Sequence, residues 1–111
     1  MKRILPFAAM LFIAHDIHAQ KVYSTDQAYK ADIKVFVVDQ EYKADLLVYK
    51  VDAEYKTKEN EGKWFFTDAE YKAKKKIYFV DSNYKADLRI YFVDSAYKAG
   101  WKDKSKQHIM Y

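Results

Sequence analysis

The sequence predicts an all-β fold, a closed arrangement of six short β-repeats of 13 residues, and three observations carry that expectation. An aspartate recurs at Asp26, Asp39, Asp52, Asp68, Asp81 and Asp94. A tyrosine follows three residues later, at Tyr29, Tyr42, Tyr55, Tyr71, Tyr84 and Tyr97, and both series step by 13, 13, 16, 13 and 13. Two residue types holding one register through six copies are the signature of a repeat architecture. Before these aspartates run short stretches rich in Val, Ile, Phe and Tyr, side chains that suit a pleated surface.

The N-terminal segment stands apart from the repeats. Lys2 and Arg3 precede an apolar run, Ile4 to Ala14, and Ile17-His18-Ala19 offers an exit with a small last residue. This pattern predicts a secretory signal peptide over residues 1–19, forming a helix detached from the domain, with cleavage leaving Gln20 first. The apolar run is too short to cross a bilayer as a helix. Residues 20–111 are then a single domain, secreted or periplasmic, and no cysteine marks a lipid-anchoring site. Loss of Lys2, Arg3 and Asp16 lowers the net charge from +4 to +3.

The strands are expected at Ile33–Val38, Leu46–Val51, Trp64–Thr67, Ile77–Val80 and Leu88–Val93, with a further copy starting near Val22. Apolar residues occupy both parities of these runs, so the strands should be covered on both faces. The Asp closing each run is read as a turn former whose carboxylate accepts main-chain amides two residues on. Tyr-Lys-Ala then begins a return or a second extended piece. The longer step comes from Glu59-Asn60-Glu61-Gly62, a turn-like insertion that divides the repeats three and three. Stacking as an open solenoid would place Lys30, Lys43, Lys56, Lys72, Lys85 and Lys98 about 4.8 Å apart in a line. Like charges directly opposite destabilise a sheet, whereas closure avoids that line and removes exposed edges.

The repeated Val-Asp-x-x-Tyr-Lys-Ala-Asp-Leu unit, the break followed by Gly62-Lys63-Trp64, and the ending Gly100-Trp101-Lys102 through Lys104-Ser105-Lys106 to His108–Tyr111 carry a resemblance. On these features the mature chain resembles the septoil knot family of small β-repeat proteins. The resemblance implies a deeply threaded domain with a seven-crossing 7(1) knot and no assigned function. Lys58, Lys74 and Gly100 depart from the pattern by replacing the Asp after Tyr-Lys-Ala, and Thr57 replaces Ala.

Chemistry is not signalled. Cysteine is absent, His108 is the single histidine after residue 19, and no nucleophile elbow, phosphate loop or dinucleotide fingerprint occurs. The chain therefore reads as a non-enzyme without cofactor or metal. Its expected role is that of a kinetically stable structural or interaction domain binding another macromolecule, with a polyanion, glycan or nucleic acid, held by Lys and Tyr as the alternative. Residues shared by every repeat are most economically assigned to the fold, so the repeated tyrosines are expected to cover strands. Function should then sit where the repeat breaks: Glu59, Asn60 and Glu61 in the insertion, and Trp101, Lys102, Lys104, Lys106, His108 and Tyr111 in the tail. Against that reading, a lone Trp such as Trp101 is more often core and such lysines more often merely solvated.

Overall fold

The computed structural model describes residues 20–56 and 60–111. The expected signal segment, Thr57, Lys58 and the candidate Glu59 lie outside the described residues. Among the described residues seven strands form: β1 (Lys21–Ser24), β2 (Ile33–Val37), β3 (Leu46–Lys50), β4 (Lys63–Phe66), β5 (Lys75–Phe79), β6 (Leu88–Phe92) and β7 (Gly100–Trp101). Six of them close into a parallel barrel in the order β4-β1-β5-β2-β6-β3, with β3 pairing back to β4. The strand β7 is added antiparallel to the start of β3.

The 13-residue period dictates the register. Val22, four residues before Asp26, pairs with Lys75, six before Asp81. The same two-residue offset holds at each of the six parallel seams, which makes a shear of twelve residues and a steeply tilted barrel. An equal offset at every seam relates the repeats by a pseudo-six-fold rotation, so equivalent residues fall in rings about the axis. One ring, Val22, Val35, Val48, Trp64, Ile77 and Ile90, is wholly inaccessible, at 0 % exposure throughout. The ring beneath it, two residues earlier in each strand, contains buried Gln20, Ile33, Leu46, Gly62 and Leu88 beside half-buried Lys75. Met110 from the C-terminal turn Lys104–Met110 closes the core, and Trp101 and Ile109 pack against it.

Outward-facing positions explain the apolar residues of the other parity. A ring of Tyr23, Phe36, Tyr49, Phe65, Tyr78 and Tyr91 lies half-buried around the barrel wall. Each return between strands lays chain over part of this wall. Around the second return, Val38 and Ala44 are buried with Leu47 against Phe36, Tyr91 and Val93. Both strand faces are thus covered, as the sequence led us to expect.

The chain reaches this order by stepping over a strand at a time. Between β1 and β2 lies β5, between β2 and β3 lies β6, and between β4 and β5 lies β1. Six positions visited two at a time would return to the start after three, so the walk must break once. That break is the β3-to-β4 connection, where the repeat step lengthens to 16 residues. The turn Glu54–Lys56 lies against β4, and Glu54 reaches Lys21 of β1 at 3.2 Å. Continuing that course would lead to the place β1 already fills, whereas the chain enters β4 through Asn60 to Gly62. Gly62 makes the re-entry with φ +88°, where a Cβ would collide with the Leu47 carbonyl oxygen.

Candidate interaction surface

The Tyr-Lys segment is a turn, not an extended strand. Ala28–Lys30, Glu41–Lys43, Glu54–Lys56, Glu70–Lys72, Asn83–Lys85 and Ala96–Lys98 each form a single 3-10 turn. In four of these returns the second residue after the turn ties it to the strand that it crosses. Asp32, Asp45 and Asp87 each donate their N–H to the carbonyl of Lys76, Arg89 and Lys34, at 2.7, 2.8 and 2.8 Å. Their Oδ2 atoms accept the N–H of those same residues at 2.8, 2.9 and 2.9 Å. One aspartate thereby reproduces both hydrogen bonds of a strand pair. Lys74, lacking a carboxylate, keeps only the donor half, to the Lys21 carbonyl at 2.7 Å.

The expectation for the aspartate that closes each strand needs correction. Asp39, Asp52, Asp81 and Asp94 meet Lys43, Lys56, Lys85 and Lys98, four residues on, at 3.3, 2.7, 3.3 and 3.7 Å. The amide two residues beyond the preceding position is taken instead by threonine where one is present: Thr25 Oγ1 accepts from Gln27 N–H at 3.2 Å and Thr67 Oγ1 from Ala69 N–H at 3.1 Å. Hydrogen bonding to Lys56 and its charge hold the Asp52 carboxyl below its ordinary value, and Lys85 does the same for Asp81.

The repeated tyrosines also depart from expectation. All six project from their turns into solvent, with exposures from 72 % at Tyr42 to 86 % at Tyr71. A one-turn helix on the outside of a barrel has no layer above it, so the ring has nothing to cover. The lysine that follows lies 6.0 Å from the ring centroid at Tyr42 and at Tyr84, at the outer limit of a cation–π contact. Beside Tyr42 an open groove of about 670 Å³ runs past Phe36, Val37 and Lys43 to Asn83 of the fifth repeat.

The residues where the repeat breaks divide into two groups. Asn60 is buried, donating from Nδ2 to the Gln107 carbonyl at 2.9 Å, while its own carbonyl and Oδ1 accept from Trp101 Nε1 at 3.0 and 3.1 Å. Lys106 contacts buried Asp45 at 3.2 Å. Asn60, Trp101 and Lys106 therefore fasten the tail under one end of the barrel. Glu61, Lys102, Lys104, His108 and Tyr111 remain on the surface, with Glu61 3.9 Å from Lys63 and His108 Nδ1 3.1 Å from the Ser105 carbonyl. Among the described residues no group of three or more His, Cys, Asp or Glu is placed to hold a metal ion.

The opposite end of the barrel is rimmed by Ser24, Phe79, Val37, Phe92, Lys50 and Phe66, in that order around the axis. The Lys50 ammonium lies 4.7 Å from the Phe92 ring centroid and 5.4 Å from that of Phe66, bracketed by its two neighbours in the ring.

A closed parallel barrel in which the returns bearing Asp32, Asp45 and Asp87 clasp the outside of strands from the other lap defines a class of interlaced β-repeat protein. A family model described as the 7(1) septoil knot domain matches residues 19–102, and the chain belongs to that family. No curated protein and no solved structure matches the chain.

Proposed function

We propose that this is an exported interaction domain that binds another macromolecule through its belt of six tyrosine-bearing turns. The observation that carries the reading is the exposure of the same aromatic residue in every repeat. These rings contribute little burial, so the fold alone does not account for tyrosine there. Exposed tyrosine offers a large apolar face and a polar tip with few rotatable bonds, the properties that enrich it at binding surfaces. Six copies arranged around one axis further suit a partner with several equivalent contact points, where avidity multiplies weak contacts.

Four of the six belt lysines are held by the aspartates of their own turns. This pairing makes the belt a poor match for a polyanion, which needs cations free to meet phosphate or sulfate. The polyanion alternative rests instead on the tail lysines Lys102 and Lys104, both exposed. Affinity capture with the wild-type domain and with a variant carrying Ser at all six belt tyrosines tests the proposal. A partner retained by the first and lost by the second, at unchanged unfolding midpoint, is the expected result; equal retention refutes it. Heparin binding that falls steeply with salt and disappears on replacing Lys102 and Lys104 would favour the polyanion reading.

A further inference from the structure

We propose that Gln20 is a modification site, its side chain closing on its own α-amine to give an N-terminal pyroglutamate. The inference rests on the export reading, in which cleavage after Ala19 makes Gln20 the first residue. It draws independently on where Gln20 sits. The residue retains 1 % exposure in the ring with Ile33, Leu46 and Leu88, and its carbonyl accepts the Phe65 N–H at 3.0 Å. The pairing of Lys21 with Phe65 extends to set Gln20 opposite Trp64 on β4. Gln20 Oε1 and Trp64 Nε1 are both buried without a hydrogen-bond partner.

A chain beginning at Gln20 would place a charged ammonium on this enclosed residue, and charge burial without a partner is costly. The carboxamide provides a way to remove the charge. An α-amine has an ordinary pKa of about 7.7–8.0, so a usable fraction is unprotonated near neutrality. Its lone pair attacks the Gln20 Cδ; the N–Cδ bond forms, the Cδ–Nε2 bond breaks, and Nε2 leaves as ammonia with its own two protons and one given up by the attacking amine. Nothing is oxidised or reduced, and no co-reactant is consumed. The product is a neutral five-membered lactam, which keeps the former Oε1 as an acceptor on the strand beside the Trp64 indole. Ring closure takes place on the exported chain before β1 is enclosed, and folding then buries the lactam among apolar neighbours.

The test is the intact mass of the domain recovered outside the cytosol from cells expressing the full chain, with fragmentation of its N-terminal peptide. The expected mass is that of residues 20–111 less one ammonia, with the loss localised to Gln20. The unmodified mass of residues 20–111 overturns the modification while leaving export intact. A mass that retains residues 1–19, or a first residue other than Gln20, overturns both. As a second readout, the cyclised domain should unfold at higher denaturant concentration than freshly refolded, uncyclised domain at pH 6, the gap closing above pH 8 as the amine loses its charge. Equal midpoints at pH 6 would refute the burial argument.

Discussion

Replacing Asp45 with Ala tests how the returns are held to the strands beneath them. Its carboxylate accepts from Arg89 N–H at 2.9 Å, from Arg89 Nε and Nη2 at 3.4 and 3.2 Å, and from Lys106 Nζ at 3.2 Å. Unlike Asp32 and Asp87, it is buried. Truncation removes the acceptor for one backbone amide and leaves two cations without their counter-charge. Breaking a buried pair costs about 3–5 kcal/mol, and the partial exposure of Arg89 and Lys106 places this site near the lower figure. Asp32→Ala and Asp87→Ala remove a single exposed acceptor each, for about 1 kcal/mol. Burial pushes the Asp45 carboxyl up, but hydrogen bonds from Arg89 and Lys106 outweigh it and hold the group below its ordinary 3.8. The folded-state value being depressed, its stabilisation is fully present above pH 3.8 and fades as pH falls through that folded-state value. The assay is equilibrium denaturant unfolding of the three variants, incubated until folding and unfolding curves coincide, at pH 7 and again across the acid range. A loss at Asp45 no larger than at Asp32, or an acid transition unchanged by Asp45→Ala, would refute the reasoning.

Further substitutions separate packing from surface. Tyr84→Ala should change stability by less than about 0.5 kcal/mol, as at ordinary surface sites, and a loss of several kcal/mol would show the ring buried in solution. Trp64→Ala should cost about 3–5 kcal/mol through the cavity left in the sealed ring, measured by the same unfolding curves. Gly62→Ala combines a left-handed backbone with a collision against a main-chain oxygen and should cost at least about 2 kcal/mol; wild-type stability would mean the chain re-enters the barrel differently. Unfolding extrapolated to water should be slower than about 1 per second, since every strand is held by partners distant in sequence.

The six-fold repeat, the strand positions and the two-sided burial were legible in the sequence because each leaves a local mark: a fixed period, a run of β-formers, apolar residues on both parities; closure followed from the line of lysines that an open stack would create. Strand order was not, since identical repeats carry identical pairing surfaces and only the stepping geometry decides that β1 lies between β4 and β5. The insertion at Glu59–Gly62 was visible as an irregularity, but its purpose depends on a parity argument that needs the strand order first. The aspartate after Tyr-Lys-Ala is visible as part of the repeated unit, but its role as a clasp is not. It is present at Asp32, Asp45 and Asp87 and absent at Lys58, Lys74 and Gly100, and this division separates the three returns clasped by a carboxylate from those that lie at the irregular seams or the chain end. The belt tyrosines were misplaced because a repeated aromatic residue usually marks a core, and spacing alone does not show that a turn stands outside the wall.

The strands β1, β2 and β3 pair with β4 to β7 and never with one another. During folding the first three repeats therefore have no native partner among themselves; their sheet edges stay vacant until the later repeats join them. Two molecules held at that stage can complete every seam by exchanging halves, the third and fourth repeats serving as the hinge. Such a product would be a pair of mutually interlocked chains with the same rings of side chains inside each barrel. If halves are exchanged in this way, raising the concentration during refolding should raise the share of dimer over monomer, which size-exclusion chromatography of the refolded chain would show.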